Sequence, residues 1–286
     1  MLRAVNRRAH SPRAWLLSLL LVLPIASNST AHATDRASDR ADRREGRADA
    51  RDDSRAEQRE WCSPEVETLW DGMCFHAPDE AATAEHPTLV LFLHSLVAVK
   101  SDWQWEQQRE LARAADRHGF AVLLPRGRTG IGPRRSGDVW AWPTSPASQA
   151  DVEDELISEW RRARRTIESR NGHPFERLLV FGFSNGAYYA STLALRNRLD
   201  AHGYGVFAGG SGGKYASVLG SRTTHRAPIF VGYGTKDPAW HDMASLADTL
   251  KSLGWRHQVK AEPVGHLVTD AQIAAAIRFL GSHHPE

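Results

Sequence analysis

The sequence predicts an α/β fold: a mainly parallel sheet with helices on both faces, in one folded domain. Three observations carry this. Strand-like apolar runs alternate with helix-like stretches at least five times. Several runs, such as Thr88-Leu89-Val90-Leu91-Phe92-Leu93-His94, are continuously apolar, as strands buried on both faces are. The 286 residues, 41% of them apolar, suffice for one large domain, and no internal repeat or inserted second domain is visible.

Residues 1–33 read as an export signal. Arginines come first, then an apolar run from Ala14 to Ala26, then Ala31-His32-Ala33, a small-x-small cleavage site. The run is short for a bilayer span; an uncleaved anchor is the alternative. No cysteine follows the site, so a lipid anchor is not expected. Residues 34–60 are almost all Ala, Arg, Asp, Glu and Ser, with no apolar spacing to bury, and read as a disordered charged linker.

The folded domain is expected over 61–286. Val66 to His76 reads as one or two short antiparallel strands. Cys62 and Cys74, a close pair in an exported chain, invite a disulfide; two free thiols are the alternative. No His or acid accompanies them at zinc spacing, so no metal site is expected. After the Thr88 strand come a helix (Asp102 to His118) and a buried strand (Phe120 to Leu124). The stretch from Arg126 to Gln149 is long and irregular, the kind of loop that often carries function. A long helix follows (Ala150 to Ser169), closed by Asn171-Gly172. Then come a strand from Leu178, a helix (Ala187 to Leu199) and a strand running from Gly203 into a glycine-rich loop at Gly213. A strand at Pro228 to Gly234, a helix (His241 to Leu253), a strand (Arg256 to Val264) and a helix (Thr269 to Leu280) complete the order.

The net charge is +2, but residues 1–33 hold four arginines and no acid. Without them 32 basic residues face 34 acidic ones, a balance of −2. This calls for neither nucleic acid nor an anionic membrane as partner.

One stretch organises the chemistry. Leu178-Leu179-Val180-Phe181 leads into Gly182-Phe183-Ser184-Asn185-Gly186 and then a helix. A serine in G-x-S-x-G between strand and helix sits on a sharp turn. Glycines two residues away remove the Cβ atoms that would collide there. This context resembles the nucleophile elbow of the α/β-hydrolase superfamily, and the resemblance extends from about Trp61 to the end. Among its members, an exported chain with this motif and a preceding short disulfide looks most like polyhydroxybutyrate-depolymerase-like and feruloyl-esterase-like enzymes.

The resemblance implies an α/β-hydrolase fold and a serine esterase needing no cofactor. It also implies an acid and then a histidine after the serine. Asp237 lies just past the Pro228 to Gly234 strand and His266 just past the last strand. His241, His257, His225 and His202 compete for the base less well by position. Two backbone N–H groups are expected to hold the oxyanion: Asn185, directly after the nucleophile, and Leu96, with Ser95 as alternative. Relatives often carry His-Gly where this chain has His94-Ser95. His94 is expected to order that loop. Trp103, Trp105, Trp140, Trp142 and Trp240 fall on segments bordering this sheet edge, and Trp140, Trp142 and Trp240 are the pocket candidates. Arg126, Arg128, Arg134 and Arg135 could meet an anionic substrate or simply be solvated.

The expected product of this sequence is thus a secreted or periplasmic carboxylic-ester hydrolase acting on a small-molecule or polymeric ester, without a stable membrane anchor. A peptidase or amidase on the same scaffold, and a non-catalytic wall- or carbohydrate-binding protein, are the alternatives.

Overall fold

The computed structural model describes residues 60–78, 86–132 and 137–282. The expected leader, the charged linker before Glu60, and Arg134 and Arg135 lie outside the described residues.

The strands are β1 (Glu67–Trp70), β2 (Met73–His76), β3 (Thr88–Leu93), β4 (Val97–Ala98), β5 (Ala121–Pro125), β6 (Val139–Trp140), β7 (Arg177–Phe183), β8 (Gly203–Phe207), β9 (Ile229–Gly234) and β10 (His257–Glu262). The helices are α1 (Trp103–His118), α2 (Pro146–Asn171), α3 (Asn185–Leu195), α4 (Gly213–Arg222), α5 (Trp240–Ser252) and α6 (Asp270–Gly281).

Eight strands form one sheet in the order β1-β2-β5-β3-β7-β8-β9-β10. From β5 to β10 every pairing is parallel, while β1, β2 and β5 pair antiparallel. The continuous apolar runs are explained by burial on both faces. Leu89, Leu91 and Leu93 of β3 face a core shared with α2, α3, α4 and α5; Val90 and Phe92 face the one shared with α1 and α6. All parallel strands end at the same edge, so the loops after β3, β7, β9 and β10 converge there.

The Cys62–Cys74 disulfide is present and ties the segment before β1 to β2. Gln108 of α1 holds the same segment, accepting from Ser63 N–H (2.6 Å) and donating to Trp61 O (3.0 Å). Glu153 of α2, buried at the tail of α3, accepts from Arg196 (2.9 and 2.5 Å) and from Arg198 (2.6 Å). Burial pushes its carboxyl up, but the hydrogen bonds from the two guanidinium groups outweigh this and hold it below the usual range.

Three expectations need correction. Helix α2 starts at Pro146, not Ala150, because Ser145 caps it: Ser145 Oγ accepts from Ser148 N–H, and Pro146 lacks only an N–H the first turn does not use. The strand from Gly203 stops at Phe207, since Ala208 (φ 48°) and Gly210 (φ 130°) turn the chain, and Gly213 opens α4. The stretch 126–149 is not wholly irregular. Its β6 pairs with β4, Val97 against Trp140, and Arg128 bridges Ala141.

Candidate active site

Ser184 sits between β7 and α3 with φ 54° and ψ −115°, a region disfavoured for a residue with a side chain. The flanking glycines are required by close approach. A Cβ on Gly182 would stand 2.3 Å from Gly186 O, and one on Gly186 would stand 2.0 Å from Leu93 O. The turn therefore packs against both its own strand and the end of β3. Its position is held by Ser184 N–H donating to Phe207 O (2.9 Å).

The structure brings the three expected side chains together. His266 Nε2 lies 2.9 Å from Ser184 Oγ, and His266 Nδ1 lies 2.7 Å from Asp237 Oδ2. A carboxylate only accepts, so Nδ1 carries the proton and Nε2 presents its lone pair to the serine. The other oxygen, Oδ1, accepts from Ala239 N–H (2.9 Å), which fixes the carboxylate plane. Asp237 is 1% exposed, whereas the His266 side chain is 43% exposed and rests near the Phe183 ring.

Acid and histidine meet because two turns nearly touch. Thr235 N–H donates to Glu262 O and Lys236 N–H to Val264 O. A Cβ on Gly234 would fall 2.2 Å from Val264 O and 2.3 Å from Gly265 O. Backbone cannot yield there cheaply. Gly234→Ala is therefore expected to push the His266 loop from Asp237 and lower turnover at least tenfold, in line with the cost of small misplacements. Ester kinetics on the folded variant check this; wild-type turnover would contradict it.

On the oxyanion side, Asn185 opens α3 and Leu96 follows Ser95. Among the described residues neither backbone N–H has a hydrogen-bond acceptor. The N–H of Ser95, the alternative donor, is occupied by Gln107 Oε1 (3.2 Å).

His94 lies under this loop and is buried. Its Nε2 accepts from Gly127 N–H (2.9 Å), so Nδ1 is the protonated nitrogen and donates to Ser95 O (2.5 Å). Burial, offset in part by the Ser95 hydrogen bond and reinforced by Arg126, lowers its pKa from 6.5 to about 4. The native state thus binds fewer protons than the unfolded chain between pH 4 and 6.5. Stability rises with pH across that window, and the full loss below it is about 3 kcal/mol at ~1.4 kcal/mol per pKa unit. Urea unfolding from pH 4 to 7 checks this. His94→Gln should flatten the slope by up to about one proton; an unchanged slope would contradict the assignment.

The expected tryptophan pocket is largely corrected. Trp142 is fully buried. It stacks on Tyr189, meets Trp160 edge-on and donates Nε1–H to His94 O (2.9 Å). Its own N–H donates to the Asn185 side chain (2.7 Å). It braces the site from beneath because its ring fills the core over α2 and α3, so it cannot wall a substrate pocket. Trp140 packs on Trp61 and under Arg126, beside a cleft that contains no triad residue. Trp240 is exposed and stacks on His241, and its backbone N–H donates to Asp237 O. Trp103 is exposed and donates Nε1–H to Ser95 Oγ (3.3 Å), while Trp105 Nε1–H reaches Glu60 O.

Other candidates are engaged elsewhere. His202 Nδ1 faces Leu178 N–H and His257 Nδ1 faces Trp255 O. Arg126 pairs with Asp71, and Arg128 with Glu155 and Glu159. Sequence reasoning missed Gln107 and the Asn185 side chain. It also missed Tyr188, which donates to Asp242 beside the acid. Among the described residues no three His, Cys, Asp or Glu side chains group as metal ligands.

No family of known sequences matches the chain, and no curated protein does. Solved structures do. SOBER1 of Arabidopsis thaliana is 16% identical, with a TM-score of 0.52 over 68% of this chain and 97% of that one. YahD, determined with malic acid, is 17% identical, with a TM-score of 0.50 over 76% and 98%. The S-formylglutathione hydrolase FrmB of Staphylococcus aureus is 14% identical, with a TM-score of 0.50 over 73% and 89%. At these identities the likeness speaks to architecture, and together with the strand order it establishes that the chain has the α/β-hydrolase fold.

Proposed function

We propose that the chain is a serine hydrolase that cleaves carboxylic esters through an acyl-enzyme on Ser184. The observation that carries this is the continuous line Asp237–His266–Ser184; the N–H groups of Asn185, directly after the serine, and of Leu96 have no acceptor among the described residues.

The geometry supports a two-step course. Ser184 Oγ attacks the ester carbonyl carbon as its proton passes to His266 Nε2. The carbonyl oxygen becomes an oxyanion and accepts from Leu96 and Asn185 N–H. The tetrahedral adduct collapses, and the alcohol leaves with the proton from His266. A water molecule then loses a proton to His266, attacks the acyl carbon, and the acid departs as Ser184 recovers its proton. Asp237 holds the Nδ1–H tautomer and stabilises the transient imidazolium.

Leu96, Trp240 and Leu267 are exposed, and each stands next to a component of the site, which favours an apolar acyl or aryl group. The resemblance to polyhydroxybutyrate-depolymerase-like and feruloyl-esterase-like enzymes makes polyesters and feruloylated sugars the finer candidates. The Cys62–Cys74 disulfide and the arginine-led apolar N-terminus support action outside the cytoplasm. Among the described residues no helix is long and apolar enough to cross a membrane.

The test is a substrate panel on protein beginning at Thr34: p-nitrophenyl esters of rising acyl length, a polyester film, a feruloylated sugar and aminoacyl amides. Ester turnover without amide turnover is expected. Faster amide cleavage would replace the reading with a peptidase, and no turnover of any ester would overturn it.

A further inference from the structure

We propose that Gln107 is a positioning residue for the oxyanion hole, clamping Ser95 so that the next peptide group aims its N–H into the site. This rests on the hydrolase reading above and names what sets its oxyanion donor.

Ser95 stands where relatives often carry glycine. Its N–H donates to Gln107 Oε1 (3.2 Å), and its Oγ accepts from Gln107 Nε2 (2.9 Å) and from Trp103 Nε1 (3.3 Å). The same hydroxyl donates to Leu96 O (3.3 Å). One buried amide side chain therefore grips one residue at two points. Ser95 O accepts from His94 Nδ1–H on the other side. All the polar groups of Ser95 are engaged.

The consequence falls on Leu96. In a trans peptide, the Ser95 C=O and the Leu96 N–H lie in one plane and point in opposite directions. Pinning Ser95 O toward His94 thereby turns Leu96 N–H the other way. It is left without an acceptor among the described residues. His94 of the same loop is held by Gly127 N–H and by Trp142 Nε1–H, and Gln107 holds the residue that follows it. A glycine at 95 would offer Gln107 only its N–H. Serine gives a second attachment, so the departure from glycine and the buried glutamine make one device.

Gln107 lies on α1, one face of which carries Gln104, Gln107 and Gln108, all buried. Gln108 holds the disulfide segment at Trp61 and Ser63, and Gln107 holds the oxyanion loop. Among the described residues neither glutamine hydrogen-bonds to Ser184, His266 or Asp237, so Gln107 acts through Ser95.

The experiment is steady-state ester kinetics on Gln107→Met and Gln107→Glu, with the wild type beside them. Methionine keeps the volume and removes both grips. Its kcat is expected to fall about ten- to a hundredfold with KM within twofold, less than the 10²–10³ that a lost oxyanion donor costs. Glutamate keeps the acceptor for Ser95 N–H and should restore most of the rate. A wild-type kcat for Gln107→Met, or a change confined to KM, overturns the clamp while leaving the hydrolase reading intact. A wild type that turns over no ester overturns both. If Gln107→Met does not fold, a crystal structure of the wild-type Ser184 phosphonate adduct decides. The phosphonyl oxygen should accept from Leu96 N–H with Gln107 still on Ser95; a flipped Ser95–Leu96 peptide would refute the proposal.

Discussion

Ser184→Ala is expected to lower kcat for ester hydrolysis by about 10⁶-fold, the scale seen when a triad serine is removed elsewhere. The hydroxyl stands 2.9 Å from His266 Nε2, the geometry an acylating serine needs. Removing it leaves the two N–H donors; oxyanion donors and binding alone give a residual of about 10³ above water in other triad enzymes. The fold should not suffer. Alanine has a Cβ like serine, so the φ of 54° is no worse served, and the Ser184 N–H bond to Phe207 O is a backbone contact that survives. Ester turnover and a thermal melt check both parts. Residual activity above about one part in a thousand of wild type, far above the roughly 10⁻⁶ expected, would place the nucleophile elsewhere.

Asp237→Asn is expected to cost about 10⁴-fold in kcat, as the analogous change does in another triad. The reason is tautomeric. The carboxylate accepts from His266 Nδ1–H and leaves Nε2 free to act as base. An asparagine can keep Oδ1 for Ala239 N–H, but its amide nitrogen then faces Nδ1 as a donor. The imidazole must place its proton on Nε2, toward Ser184, where no proton can be received. Asparagine keeps the shape of this 1%-exposed side chain, so the loss is chemical rather than structural. A fall of less than tenfold with unchanged stability would mean that Asp237 only shapes its turn.

Much of this was legible in the sequence, and the reason is local. Strand β7, the elbow and α3 are contiguous, and G-x-S-x-G has steric requirements that the close approaches at Gly182 and Gly186 bear out. Asp237 and His266 could be placed because each follows a parallel strand, and all such strands end at one edge. What escaped depends on contacts between distant segments. Trp142 was expected to line the pocket, yet its place in the core follows from hydrogen bonds to His94 and Asn185, 48 and 43 residues away. The β4–β6 pairing joins two residues of each segment, too few to leave a period. The two-point grip of Gln107 on Ser95 needs α1 folded against the loop and has no motif. Helix α4 was not expected, as nothing was assigned between the loop ending at Gly213 and the Pro228 strand; its start follows turns at Ala208 and Gly210 that no local spacing announces.

The most direct test of the central claim is covalent labelling. Folded wild-type protein is treated with a fluorophosphonate, digested, and read by mass spectrometry. One phosphonyl group is expected, on the peptide that carries Ser184, absent in Ser184→Ala and formed far more slowly in Asp237→Asn. A folded wild type that remains unlabelled, or carries the label on another residue, would contradict it.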